Sequence, residues 1–338
     1  MKVGADPELF LLNGEQYHSA HGVIPGTKEE PHAVANGAVQ VDGLALEFNI
    51  EPAENENDWC NNLNVVMSEM RKMVPDNLHF AIEPCAYFTE EHINAQPPEA
   101  LVLGCDPDYN AYTMQQNMVP DLENPNMRTA AGHVHIGFAD VDDPYTEEHM
   151  QDCAAIVKQL DYFLALPAIK LESAERRALY GKAGAFRPKP YGVEYRVLSN
   201  FWLQSNELSR RVFRAVTSAM YYLEQGHVLA NKFECPEEAI NEGSFANSAG
   251  LLEQVAPYGI EVWQHAHPMR QPRPRNGLID FARALDNVAP GAFELERNDE
   301  DVRMEDAEVA ELGAPQDRDY NWRLHDYAQE DVVIGEIE

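Results

Sequence analysis

The chain has 338 residues, 44% hydrophobic and 9% aromatic, with a formal net charge of −32. That length buries a sizeable core in one large or two ordinary domains. The negative field argues against direct binding of nucleic acid or of an anionic membrane, and suits a protein that concentrates divalent cations.

Five cysteines (Cys60, Cys85, Cys105, Cys153 and Cys235) lie far apart without a Cys-x-x-Cys. Neither a disulfide framework nor a zinc ribbon is indicated, and a reducing compartment fits. No basic and apolar leader opens the chain, and no apolar run reaches the roughly 20 residues that span a bilayer. A cytoplasmic location is expected.

Residues 1–12 have the pattern of a strand, with Val3, Leu9 and Leu11 on one face and Asp6, Glu8 and Phe10 on the other. Pro7 lacks an N–H for the ladder, which predicts an edge position or an irregular start. Loops around short strands are expected over 13–36. Leu44–Ile50 alternates as a strand, with Glu47 and Asn49 opposite Leu44, Leu46, Phe48 and Ile50. Asp58 is suited to N-cap a helix to about Val74, since Trp59, Leu63, Val66, Met67 and Met70 share one face. His79–Phe88 is expected as a strand, 104–125 as an ordered loop, and Gly132–Phe138 as a strand carrying His133 and His135.

Thr146 opens a helix expected to end at Pro167, and a short helix covers 172–179. After a glycine-rich loop at 181–184, Tyr191–Trp202 has strand character, with Glu194, Arg196 and Asn200 on one face. A further helix runs from a Ser205 cap to Gly226. Composition changes after about residue 232, dividing the chain into a main domain, 1–232, and an extension, 233–338. Residues 294–338 hold sixteen Asp or Glu against four Arg, the composition of a peripheral acidic tail on which Trp322 and Leu324 could dock.

Four strands thus present polar pairs at i, i+2 spacing: Asp6/Glu8, Glu47/Asn49, His133/His135 and Glu194/Arg196. Each alone has a bland explanation. A His-x-His is more often structural than ligating, and Glu194 with Arg196 can be an internal ion pair. Together on one sheet they would form a carboxylate-rich site with a little imidazole, which suits Mg²⁺ or Mn²⁺. Arg176, Arg177, Lys182, Arg187, Lys189 and Arg196 form the densest basic cluster in an acidic chain. It fits a bound polyanion such as nucleotide phosphates, or simple balance of Glu172, Glu175 and Glu194. Asp106 and Asp108 fit an acidic turn, and His265 and His267 a structural pair. No phosphate-loop, dinucleotide-binding, H-E-x-x-H or G-x-S-x-G motif occurs.

Several segments, in order, resemble the carboxylate–amine ligases of the glutamine synthetase and glutamate–cysteine ligase superfamily, above all their phage-type branch. These are Gly4–Phe10, Val39–Asn49, Arg128–Gly137 and Tyr180–Arg187 with Gly192–Arg196, within residues 1–225. The resemblance implies an α+β fold, a curved, mainly antiparallel sheet with helices on its outer face, binding ATP and two or more Mg²⁺ ions. By position, Asp6, His133 and Glu194 look like ligands of one metal, and Glu8 and Glu47 of the second, with Glu47 beside the reacting groups. His135, Lys182, Arg187 and Arg196 are implied at the nucleotide phosphates, the two arginines also neutralising the transferring phosphoryl group. Asp42 reaches the site only with a bulge at Gly43. The partners implied are a small-molecule or peptide carboxylate and an amine; oligomeric state is left open. A metal-dependent hydrolase using the same face, and a non-catalytic binding protein of this fold, are the alternatives.

Overall fold

The structure, a computed structural model, describes residues 1–101, 108–118 and 124–264. The expectations for Cys105, Asp106, His265, His267 and the acidic segment with Trp322 and Leu324 lie outside the described residues.

Strand β1 (Lys2–Asn13) is the axis of the sheet and turns tightly into β2 (Gln16–His18). A meander of β3 (His32–Val34), β4 (Gly37–Asp42) and β5 (Ala45–Ile50) returns to Glu8 and Leu9 of β1. Helix α1 (Glu56–Met73) leads to β6 (Leu78–Ala81), which pairs with the end of β1, and then to β7 (Cys85–Tyr87). Short helices α2 (Glu90–Asn94) and α3 (Pro98–Leu101) and the two-residue β8 (Tyr109–Asn110) follow. Strand β9 (Met127–Thr129) pairs with β7, and β10 (Gly132–Gly137) with β1. Beyond α4 (Glu147–Leu160) and α5 (Ala174–Leu179) come the hairpin β11 (Ala185–Lys189) and β12 (Gly192–Tyr195), then α6 (Asn206–Glu224), α7 (Glu237–Glu242) and α8 (Phe245–Val255). The main sheet has the order β3-β4-β5-β1-β10-β12-β11-β8, every neighbouring pair antiparallel. The class is therefore α+β. Among the described residues, no helix is long and apolar enough to cross a membrane.

One face of the sheet is apolar. Val3, Leu9, Val39, Leu46, Phe48, Val134, Ile136, Val193 and Tyr195 are buried there in a core shared with α1 and α4, on which α6 packs. Residues after α6 join the same core through Ile240, Leu251, Leu252, Val255 and Trp263. On the opposite face, Phe10 anchors a smaller cluster with Ala45, Ala86, Phe88 and Ile93. That cluster closes one end of an otherwise polar surface.

Several expectations need correction. Pro7 is not on an edge, because β1 is paired along both sides. It stands where the β10 ladder ends, and the Glu8 N–H carries on to Ala131 O at 2.8 Å. Helix α1 is capped by Asn55, whose side chain accepts from the Asp58 N–H (2.9 Å) and donates to the Asp58 carboxylate (2.7 Å). Asp58 is thus the inner half of a reciprocal cap, one turn in. The strand expected at 79–88 breaks before Pro84 into β6 and β7, which belong to different sheets. Strand β12 stops at Tyr195, and Asn200 opens a 3₁₀ turn instead of extending it. The Thr146 and Ser205 caps are as expected.

Helix α4 continues as a π-helical turn, Asp161–Ala165. Asp161 is fully buried there and accepts from Tyr195 Oη (2.7 Å), Tyr112 Oη (2.8 Å) and the Gly184 N–H (2.8 Å). Burial nevertheless pushes its carboxyl up to about 7. It ties the back of β12 to the glycine loop.

Gly132 is dictated by space. A Cβ there would sit 2.3 Å from Ser199 O and 2.4 Å from Trp202 Nε1. Gly132→Ala should cost about 1–3 kcal/mol through overpacking. Gly250→Ala, in α8 with nothing within 4 Å, should gain about 0.5–1 kcal/mol. Urea unfolding checks both signs.

Candidate active site

Residues opposite one another in an antiparallel pair project from the same face. The pairs Asp6↔His133, His135↔Glu194, Arg187↔Glu194, Glu8↔Glu47 and Gln40↔Glu47 therefore place all four sequence pairs on the polar face. Lys189 and Arg196 follow Arg187 and Glu194 at the same parity.

Asp42 reaches this face without a bulge. It ends β4, pairs with Ala45, and thus shares the side of Glu47. Gly43 (φ 57) and Leu44 form a two-residue hairpin turn with positive φ only at its first position, as a type II′ turn requires. The parity count across Asp42–Leu46 failed because it crossed a turn. Asn200 takes another role, donating from Nδ2 to Glu8 O at 2.9 Å.

The basic cluster divides. Arg176 and Arg177 are buried, donating to Val197 O and Leu198 O and to Ile240 O, with Glu172 3.9 Å from each. They brace the fold. Lys182 is exposed and lines a cleft with Arg177, Glu237, Glu238 and Glu242, a cleft that none of the polar-face residues lines. Arg187 (3.3 Å), Lys189 (2.9 Å) and Arg196 converge on the fully buried Glu194 carboxylate. Arg196 also meets Asp108 Oδ2 (3.3 Å) and Tyr180 Oη. Asp108 and Tyr180 were not foreseen in the site: Asp108 is far away in sequence, and no alternation marks Tyr180. Lys189 was seen only as one cation among six, although it shares the parity of Arg187. Gln40, which donates to Glu47 Oε2 at 2.6 Å, was also missed. The alternation Gln40-x-Asp42 before Gly43 was the available signal.

The electrostatics divide in two. Around Glu8, burial and then Asp42 push the carboxyl up to about 7. Glu47 is pushed well above the usual range by burial, then by Asp6 and Glu8, and Asp42 is raised by burial. Burial is the first cause at all three, and at Asp42 it outweighs Lys28, Arg196 and Arg187. Burial would also raise Asp6, but His135 and His133 outweigh it and hold this carboxyl well below its usual value. Burial, then Arg196, pushes His133 down to about 4, whereas Asp6 outweighs burial at His135 and raises it.

His133 Nδ1 lies 3.4 Å from Asp6 Oδ1 and 3.3 Å from Glu194 Oε1. His135 completes a closer group: Asp6, His135 and Glu194 offer ligand atoms all within 4.8 Å of one another. Asp6 Oδ1 and His135 Nε2 stand 2.9 Å apart, and neither has a hydrogen-bond partner among the described residues. Adjacent ligands of an octahedral cation at about 2.1 Å are separated by about 3 Å. A donor set of two carboxylates and an imidazole, with orphaned atoms at that spacing, fits a hard divalent ion. The resemblance pointed to His133 as the imidazole of this group and to His135 at phosphates. The geometry brings both rings to Asp6, His135 more closely.

Fold and face together define a class: an α+β protein with a sheet surface that offers carboxylates, imidazoles and guanidinium groups to one ligand. Residues 128–250 match the family model described as Phage phiEco32-like COOH.NH2 ligase-type 2. The match supports a phage-type carboxylate–amine ligase, an enzyme that forms carbon–nitrogen bonds. No curated protein matches the chain.

In metal-free protein the folded Glu8 keeps its proton up to about 7, whereas the unfolded residue releases it near 4.5. The folded chain holds the extra proton, so this group's contribution to stability is lost as pH rises from 4.5 to about 7. Glu8→Gln removes the ionisation and keeps an acceptor for the Ala131 N–H, which now bonds Glu8 Oε2 at 2.8 Å. Its stability relative to the unsubstituted protein should climb across that window in urea titrations with EDTA. A flat difference would contradict the assignment.

Proposed function

We propose that the protein is an ATP- and Mg²⁺-dependent carboxylate–amine ligase acting through an acyl phosphate. The observation that carries this reading is the convergence of Asp6, His135 and Glu194 on one point, beside Arg187, Lys189 and Arg196, within a chain whose residues 128–250 match a COOH–NH2 ligase family.

Asp6 and Glu194, with His135 or His133, would hold one divalent ion, and Glu8 and Glu47 a second. Bound there, such ions supply charge neutralisation to a polyphosphate and to the carboxylate that attacks it. The residues themselves do the rest. Arg187, Lys189 and Arg196 now satisfy Glu194. With a dication held by that carboxylate, their donors would be available to the γ-phosphoryl oxygens, where negative charge develops. The substrate carboxylate oxygen bonds to phosphorus as the bond to the β,γ-bridging oxygen breaks, giving an acyl phosphate and ADP. An amine then displaces phosphate from the acyl carbon and loses a proton. Glu47, held by Gln40, would stand beside the reacting groups as a ligand of the second ion, and the amine's proton would leave to solvent.

ADP and phosphate should appear only when carboxylate, amine and Mg²⁺ are supplied together. Glu194→Gln should lower kcat by about 100-fold or more with unchanged circular dichroism, whereas Lys182→Ala should leave kcat/KM unchanged. Turnover without nucleotide would overturn the ligase reading in favour of metal-dependent hydrolysis. Full activity in Glu194→Gln would overturn the site.

A further inference from the structure

Tyr191 touches the candidate site without being one of its ligand-type residues. With Pro190 it forms the two-residue turn that joins β11 to β12, as the pairing of Lys189 with Gly192 shows. Its carbonyl accepts from the N–H groups of Phe138 (3.0 Å) and Ala139 (3.1 Å), just beyond β10. The turn is thereby fastened to the end of the strand that carries His135.

The Tyr191 hydroxyl lies 2.5 Å from His135 Nδ1, and the two rings are 6.0 Å apart at 43°. Across the imidazole, Nε2 is 2.9 Å from Asp6 Oδ1, yet that contact fails the geometry of a hydrogen bond, and both atoms are orphaned among the described residues. The in-plane axis at Nε2 therefore passes beside the Asp6 oxygen, and His135 belongs with Asp6 and Glu194 to the one group whose ligand atoms all lie within 4.8 Å of one another. Which imidazole nitrogen keeps its proton is set by the partner of the other.

We infer that Tyr191 is the positioning residue for His135. Its oxygen accepts from Nδ1–H, fixes that tautomer, and leaves the Nε2 lone pair facing a divalent cation between Asp6 and Glu194. A phenol oxygen can accept from Nδ1–H while keeping its own proton. The inference rests on the divalent-ion reading of the site proposed above.

Tyr191→Phe keeps the ring and removes the hydroxyl. Mn²⁺ binding to the full-length chain, followed by calorimetry without nucleotide or substrate, should weaken by about 10- to 100-fold, the usual effect of losing a ligand's orienting partner. Histidine-labelled ¹⁵N NMR of metal-free protein, with His135 assigned by its loss in His135→Gln, gives a second readout. At a pH above the transition of His135, which Asp6 raises, it should show a proton on Nδ1 alone in the unsubstituted protein and a mixture of tautomers in the variant. Equal Mn²⁺ affinity in the two proteins, or a His135 protonated at Nε2 in the unsubstituted protein, overturns the role of Tyr191 alone. No Mn²⁺ binding by the unsubstituted protein overturns this inference and the divalent-ion reading together.

Discussion

The antiparallel register of three strands decides everything at the polar face. Asp6 stands opposite His133, and His135 opposite Glu194, so three segments far apart in sequence bring their polar side chains to one patch. The side-chain period is two, and a slip of β10 by one residue would turn Val134 and Ile136 toward the carboxylates and send both imidazoles into the core. The apolar face opposes such a slip, because Val134 and Ile136 are fully buried. Strand β1 extends the constraint. Its Asp6 half belongs to the β10 pairing and its Glu8 half to β5, so one backbone holds both groups of candidate ligands.

Charge is the second constraint. A carboxylate as deeply buried as Glu194 is tolerated only when paired, and removing its partners would leave an uncompensated charge. Here Arg187, Lys189 and Arg196 do that work. On the other flank, burial first and then neighbouring carboxylates raise the proton affinities of Glu8 and Glu47, and burial outweighs Lys28, Arg196 and Arg187 at Asp42. Under the ligase reading the two flanks are complementary. A dication on Glu194 releases guanidinium groups, and an anionic phosphoryl group gives those groups a new partner. Each ligand then favours the other, and the coupling is reciprocal.

Much of this was legible in the sequence because alternation is a local signal. Leu46-Glu47-Phe48-Asn49 and Gly132-His133-Val134-His135 declare their two faces without knowledge of their neighbours. Three kinds of information were not local. Asp42 was misplaced because strand parity restarts across the Gly43–Leu44 turn, which a strand pattern does not reveal. Arg176 and Arg177 looked like part of a phosphate-binding cluster because a sequence shows the density of charge and not its depth. Their guanidinium groups are spent on backbone carbonyls and Glu172. Asp108 and Tyr180 reach Arg196 only through loops, where spacing carries no periodic meaning. The cap at Asn55 was missed for a smaller reason: two capping residues three apart are both consistent with the same helix, and the reciprocal pair makes use of both.

The matched segment and the candidate site do not have the same extent. Residues 128–250 contain His133, His135, Arg187, Lys189, Glu194 and Arg196. They hold the imidazoles, the guanidinium groups and a single carboxylate of the face. That half is cationic once Glu194 is paired, so taken alone it would attract phosphate and repel a metal ion. Asp6, Glu8, Asp42 and Glu47 come from β1, β4 and β5, outside the match. Under the ligase reading, the register of β1 against β10 would convert an anion-attracting half into a surface for a dication and a phosphate at once. The proposed chemistry would then depend on a strand pairing between a matched and an unmatched part of the chain, and the Asp6–His135 contact is where the two parts meet.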